Sequence, residues 1–463
     1  MINSLMQGRM SHMRLFVYPT LILLFLLSTF FHHSLLSGAI GIVAIITLVI
    51  SAVYARGLYF TSGSVFLFFG GCLFIMSGQS IHALLFHFDT MLGILGLFLL
   101  LPFLNLLIKM GRYDTKLRTS MEHGMNRVSH LYRRSFIVCH TLGLFLNIAT
   151  LPLVKESLTS SLQHLPKNQA DRFYSQNLLR AYALCLTWSP MEVMVVTSLD
   201  VTGTSYLSIF PVMVLILIIV VSFDWIVSSI KYRHWPLKNC NDHVTQSNKM
   251  FSHVQPFILL LLTFFLAVST FHFIFQKGYL LSIVILIVPI TVSWAFVIKK
   301  GRRFFQLLVP LWRERTNGLA NYFYMFLSAG FFVEMLSQSN HLLFLQEMFY
   351  TVSNLSTALP FFCMIAGYFL ITSLIGFHPL VSFTLLIELL RPFLDEVSSP
   401  SLAIVFIVCS LSTVLYSPFN LSVTILADSL KLNPYRVGMW NFPFALLYIS
   451  IGIFIAYLVT WLT

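Results

Sequence analysis

Apolar runs long enough to span a membrane recur along the whole chain, separated by short polar or basic stretches. About 20 apolar residues are needed for a helix to cross a hydrocarbon core of about 30 Å. On that basis the first spans fall at Leu15–Phe31, Leu35–Tyr54, Tyr59–Ser77 and Met91–Ile108. Phe136–Val154, Leu178–Leu199, Tyr206–Val227, Pro256–Phe275 and Leu280–Ile298 follow, with the polar, poorly periodic segment Lys155–Asn177 among them. The remainder reads as Tyr322–Ser337, a softer segment His341–Val352, Pro360–Leu374, Ser401–Asn420 and Phe442–Leu462. None of these runs alternates apolar with polar residues as a membrane barrel would. The expected fold class is therefore all-α, a polytopic membrane protein of about 11–13 transmembrane helices.

Within this pattern two apolar stretches carry the same interruption. Trp188-Ser189-Pro190-Met191-Glu192 in the first half matches Tyr416-Ser417-Pro418-Phe419-Asn420 in the second. An aspartate lies ten residues beyond each proline, and 228 residues separate both Pro190 from Pro418 and Asp200 from Asp428. Upstream, Pro152-Leu153-Val154 and Pro379-Leu380-Val381 are 227 residues apart. Features aligned in this order indicate an internal duplication. It divides the chain into N-terminal helices at 1–86, a first repeat at 87–230, a linker with two spans at 231–316 and a second repeat at 317–463.

Composition narrows the class. The chain is 57% hydrophobic and 10% charged, with mean hydropathy +0.85, which excludes an ordinary soluble globule. The net charge of +12 would suit a nucleic-acid partner, but the basic residues lie in the loops, where they set orientation, and no nucleic acid is expected. Arg9, Arg14 and Arg56 place the N-terminus in the cytoplasm of a plasma-membrane protein. Lys109, Arg112, Lys116, Arg118, Arg127, Arg133 and Arg134 mark the strongest inside loop, read as a topology anchor, with a surface amphipathic helix as the alternative. Lys231, Arg233, His234, Lys238 and Lys249 mark a further basic loop, and Lys299, Lys300, Arg302, Arg303, Arg313 and Arg315 another inside one. The C-terminus then falls outside, so the two repeats should be inverted relative to one another. The six cysteines are scattered, form no CxxC, and read as small core residues.

A proline inside a helix removes a donor and clashes with the carbonyl four residues earlier. In hydrocarbon the freed groups cost several kcal/mol unless satisfied, so paired breaks point to a site rather than to ordinary kinks. Pro190 and Pro418 are the helix breaks. Thr187, Ser189, Ser417 and Ser422 supply oxygens, and Glu192 and Asn420 stand at equivalent places. Pro152 and Pro379, with Asn147, Thr150 and His378 just before them, form either tips of re-entrant hairpins or turns at the surface. Glu192 and Glu334 rank first as coupling carboxylates, because ionisable groups at depth are costly; Asp200 and Asp428 lie nearer span ends. His140 reads as a core histidine. No GxSxG, HExxH or Walker loop occurs, so no enzyme activity, cofactor or metal is expected.

Over roughly Met91–Leu462, Tyr416-Ser417-Pro418-Phe419-Asn420-Leu421-Ser422-Val423 and its counterpart resemble the ion-transporter superfamily of dicarboxylate, citrate, gluconate and arsenite permeases. That resemblance implies two inverted repeats, each with a re-entrant hairpin and an unwound helix. The expected function is a secondary transporter of a small, anionic solute coupled to H+ or Na+ by alternating access, with the lipid bilayer as surroundings and a homodimer as a compatible assembly. The alternatives are a translocator of a lipid or lipid-linked precursor, or a non-transport component of an envelope pathway.

Overall fold

The computed structural model describes residues 2–31, 33–111, 128–233, 250–339, 343–353, 358–391, 394 and 399–462; among them are helices and short connections and no strand. The basic residues Arg112, Lys116, Arg118, Arg127, His234, Lys238 and Lys249, with Cys240 and the start of the softer segment at His341, lie outside the described residues. The helices, in order, are α1 (Ile2–Ser28), α2 (Ser34–Tyr54), α3 (Gly57–Met76), α4 (Leu92–Gly111), α5 (Val128–Leu146), α6 (Thr150–Leu162) and α7 (Lys167–Leu186). Next come α8 (Val193–Thr202), α9 (Tyr206–Lys231), α10 (Met250–Phe275), α11 (Tyr279–Val297), α12 (Gly301–Gly318) and α13 (Ala320–Ser337). The chain ends with α14 (Leu343–Ser353), α15 (Leu359–Ile375), α16 (Pro379–Leu390), α17 (Ser399–Tyr416), α18 (Leu421–Leu430), α19 (Pro434–Met439) and α20 (Phe442–Thr460).

The protein is a multi-pass helical membrane protein. Among the described residues α2, α3, α9, α11, α20 and the stretch Ser399–Leu430 are long and apolar enough to cross a bilayer, and α12 with α13 forms a pair bent by 50°. Within a helix every backbone polar group but those at the ends is satisfied internally, which hydrocarbon requires. The most apolar window of Ser399–Leu430 is 94% buried, against 17% for Gly57–Met76. The second Ser-Pro element thus runs through protein, whereas α3 is a peripheral helix.

The residues group into two compact units. The first comprises Met1–Met110, Thr270–Met348 and Thr384–Leu390. In it α3 and α13 pack closely because Gly63 and Gly70 bring the rings of Tyr324 and Phe331 against the α3 backbone. Tyr18 stacks on Phe323 at 4.0 Å and hydrogen-bonds Ser51 at 2.8 Å, joining α1, α2 and α13.

The second unit comprises Gly111–Ser269, Phe349–Phe383 and Arg391–Thr463. Along the chain the same order of elements occurs twice: a long helix, a left-handed break, a short helix, then a helix–break–helix. The breaks carry positive φ, 51° at Asn147 and 127° at Gly376. The short helices α6 and α16 have 13 and 12 residues. At 1.5 Å per residue each is about 20 Å long, too short to cross the core, as a re-entrant arm would be.

One sequence expectation is corrected here. Phe136–Val154 is not one continuous span, because α5 stops at Leu146 and a 3-10 turn, Asn147–Ala149, precedes α6. Asparagine tolerates the left-handed conformation, and the Asn147 carboxamide accepts the Ile148 N–H at 2.7 Å. Most of the polar stretch Lys155–Asn177 is helical and belongs to α6 and α7. In α6 the buried side chains include Leu151, Val154, Leu158 and Leu162, whereas α7 also buries the polar Asp171, Ser175, Gln176 and Asn177.

Candidate functional site

The two proline breaks share one backbone design. Glu192 N–H donates to the Ser189 carbonyl at 3.2 Å, and Asn420 N–H to the Ser417 carbonyl at 3.1 Å. Each proline is the second residue of a four-residue turn, where its fixed φ is favoured. The residues that open the second arms have φ and ψ of −77° and 127° at Glu192, and −79° and 135° at Asn420. Each second arm has ten residues and ends on a left-handed residue, Gly203 or Lys431. The chemistry at the turns differs. The Asn420 carboxamide caps α18 by accepting the Ser422 N–H at 3.1 Å, whereas the residue at the same place in the first break is a carboxylate, Glu192. Pro418 cannot donate to the Val414 carbonyl, and the Ser422 hydroxyl does so at 2.8 Å. At the first break the Leu186 carbonyl receives the Ser189 N–H at 3.0 Å.

The aromatic residue before each Ser-Pro is bolted to the long helix upstream. Trp188 Nε1 donates to His140 Nε2 of α5 at 3.1 Å, and the Tyr206 hydroxyl donates to the Trp188 carbonyl. In the second copy Tyr416 hydrogen-bonds the Ser373 hydroxyl of α15 at 2.8 Å, and Ser417 Oγ donates to the Ser373 carbonyl at 2.7 Å. The Tyr416 carbonyl sits against Gly438, where any Cβ would collide with it.

Contacts along α20 give the direction of the two broken helices. Going up α17, Ser401 meets Thr460, Val408 meets Gly452 and Tyr416 meets Phe442, so α17 is antiparallel to α20. Going up α7, Arg180 bonds Asn441 at 3.0 Å and Thr187 bonds Tyr448 at 2.8 Å, so α7 is parallel to α20. The matched helices α7 and α17 therefore run in opposite directions. Their arms pack reciprocally, α17 on α8 and α18 on α7. This is the relation that inverted repeats require.

Of the residues singled out from sequence, Thr187, Ser189, Pro190, Glu192, Ser417, Pro418, Asn420 and Ser422 lie at these breaks within one unit. Thr187, Ser189, Ser417 and Ser422 are buried and Glu192 is half-buried. Asn147 sits at the α5–α6 turn and accepts the Tyr182 hydroxyl of α7. Thr150 is buried at the start of α6, with Pro152 in the helix's first turn. His378 caps α16 by accepting the Leu380 N–H at 3.3 Å, and Pro379 is its first residue. Asp200 lies near the end of α8, and Asp428 is exposed near the end of α18. Glu334 belongs to the other unit, where Gln338 Nε2 donates to it at 2.8 Å and Thr90 Oγ1 at 3.2 Å. Among the described residues no group of three or more His, Cys, Asp or Glu could hold a metal ion.

The largest feature missed from sequence is a buried network centred on Arg180. Its guanidinium forms an ion pair with Asp224 of α9 at 2.6 Å, with side chains 11% and 0% exposed. Tyr132 donates to the same carboxylate at 3.0 Å, and Arg180 also lies 4.4 Å over the Phe444 ring. Alongside, Asn441 Nδ2 donates to Ser175 Oγ at 2.9 Å, and Gln176 bridges Lys231 and the Trp440 carbonyl. This network fixes α7 against α9 and the start of α20. The available signal was one arginine in the apolar run Leu178–Leu199 and one aspartate in the next, Tyr206–Val227, a pattern that calls for a partner inside a membrane.

The sequence matches no family model. It also matches no curated protein. The fold does have a solved counterpart. Over 86% of this chain and 98% of the other, it is similar to the YdaH transporter of Alcanivorax borkumensis, whose crystal structure is described as having an unusual topology, with a TM-score of 0.55 and 12% identity.

Proposed function

We propose that the chain is a cation-coupled secondary transporter that moves a small anionic solute across the plasma membrane by alternating access. The observation that carries this reading is the pair of proline turns of one backbone design, on antiparallel helices, inside a single compact unit. Such turns interrupt two helices at depth and direct two half-helix N-termini, each with partial positive charge, at the interrupted region. The first break carries the Glu192 carboxylate beside the N-terminus of α8; the second carries the neutral Asn420 beside that of α18. The α18 end therefore suits the anion, and Glu192 suits the coupling cation, a proton or sodium. The transporter fold of the solved counterpart is consistent with this assignment. The test is uptake by purified protein in proteoliposomes, using a panel of labelled small organic anions under imposed proton or sodium gradients. At least one anion should accumulate, and Glu192→Gln should abolish the gradient's effect while leaving slow equilibrative exchange. Failure of every anion to accumulate under either gradient would overturn the reading. Undiminished coupling in Glu192→Gln would remove that residue from the mechanism.

A further inference from the structure

Outside the breaks, α12 has an order of surfaces that a helix buried in protein or exposed to water would not need. Its sequence has five charged residues, Arg302, Arg303, Arg313, Glu314 and Arg315, among aromatic and aliphatic ones. Phe304 is buried on the protein side, and Trp312 meets Phe103 edge-on at 5.3 Å. Next around the helix come Phe305 and Val309, one turn apart and 46% and 70% exposed. The following row holds Arg302, Gln306 and Arg313, all exposed. Protein, apolar strip and charge thus succeed one another around the cylinder, the arrangement of a helix lying in an interface.

Both ends of α12 are tied down. Lys299 takes a left-handed conformation, φ 55°, which turns the chain out of α11. Lys300 Nζ then donates to the Met110 carbonyl at 3.0 Å. At the far end Arg14 Nη1 donates to the Asn317 carbonyl at 2.8 Å, and α13 leaves at 50°. At the near end is a hollow of about 480 Å³ lined by Lys299, Lys300, Arg302, Arg303 and Gln306. It gathers four cations and an amide with no carboxylate in the lining, beside the N-terminal end of α12, where the first N–H groups have no partner within the helix.

We propose that α12 lies along the membrane surface and that this hollow holds the phosphate of an anionic phospholipid headgroup. A soluble polyanion would match the cations but would leave Phe305 and Val309 exposed to water. A lipid matches both, with its phosphate in the hollow and its acyl region against the strip. The proposal is independent of what the transporter carries.

The test is thermal melting of the full-length protein, delipidated in neutral detergent, with added phosphatidylglycerol, phosphatidylcholine or inorganic phosphate. Phosphatidylglycerol should raise the melting temperature, with little effect of the other two at equal concentration. The exposed pair Arg302→Gln/Arg303→Gln should lose most of that rise while melting normally in phosphatidylcholine, and Arg313→Gln/Arg315→Gln should keep it. An equal rise with phosphatidylcholine or with inorganic phosphate would overturn the proposal. So would a full response in Arg302→Gln/Arg303→Gln, or an equal loss in Arg313→Gln/Arg315→Gln.

Discussion

Removing both charges of the Arg180–Asp224 pair should be hardly more damaging than removing one. Asp224 is fully buried and accepts from Arg180 at 2.6 Å and from Tyr132 at 3.0 Å. Asp224→Asn would leave the guanidinium buried without a counter-charge, a loss of about 3–5 kcal/mol for a pair of this kind. Asp224→Ala would also orphan the Tyr132 hydroxyl and cost roughly 1 kcal/mol more. Arg180→Gln should cost a similar 3–5 kcal/mol, because the carboxylate is then uncompensated. In Arg180→Gln/Asp224→Asn no buried charge remains, so the double variant should lie near a single variant and not near the sum. That corresponds to a coupling of at least about 2 kcal/mol, within the range found for directly contacting residues. The measurement is reversible unfolding in mixed micelles titrated with dodecyl sulfate, followed by tryptophan fluorescence. The reasoning fails if the double variant is additive within about 0.5 kcal/mol. Because Arg180 also holds Asn441 at 3.0 Å, Arg180→Gln should, on the proposed function, slow transport as well, by letting the first arm of the broken helix shift.

Two further outcomes are expected. Ser422→Ala removes the hydroxyl that satisfies the Val414 carbonyl at 2.8 Å, and should cost about 1–3 kcal/mol in the same titration; a negligible change would mean that another group takes over that carbonyl. His87 lies in the connection before α4, outside the spans, and burial pushes its imidazole below the usual 6.5, opposed by the nearby Glu334 and Asp89 carboxylates. The folded state then binds fewer protons there than the unfolded one, so this contribution is intact above pH 6.5 and is lost as pH falls from 6.5 through the lowered value. Melting temperatures across that range should decline less steeply in His87→Gln, and an unchanged slope would refute the assignment.

The paired breaks are legible in the sequence because the same Ser-Pro element recurs 228 residues apart; a lone proline is not enough, since Pro289 and Pro310 lie inside continuous helices. The break at Asn147 leaves no such mark, since asparagine is tolerated in a helix as well as at φ 51°, and so Phe136–Val154 reads as one span. The helical character of Lys167–Asn177 is hidden for a different reason. Asp171, Ser175, Gln176 and Asn177 are buried, and those whose bonds are described gain partners from distant segments: Ser135 Oγ donates to Asn177 at 2.9 Å, and Ser175 Oγ to the Val437 carbonyl at 2.9 Å. Hydrophobic periodicity reports burial only where burial is apolar, so a helix buried through polar contacts looks like a loop. Glu334 shows the converse limit. Three residues from the end of α13, inside a run that reads as a span, it has Thr90 and Gln338 as partners, and it lies in the unit that does not contain the breaks.

The two breaks are alike in backbone and unlike in side chain, and on the proposed reading this difference is what makes a coupled carrier. Duplication alone would give two equivalent half-sites, each offering the partial positive charge of a helix N-terminus, and both would favour an anion. At α18 that character is kept, since Asn420 is neutral and uses its oxygen on Ser422 N–H. At α8 the equivalent residue is Glu192, which sets a carboxylate beside the helix end. That end then favours a cation or a proton over a second anion. Replacing Asn420 with aspartate would make the breaks alike in charge, and should weaken solute binding without abolishing the cation's effect on the protein's melting. Equal loss of both would mean that the two breaks form a single undivided site.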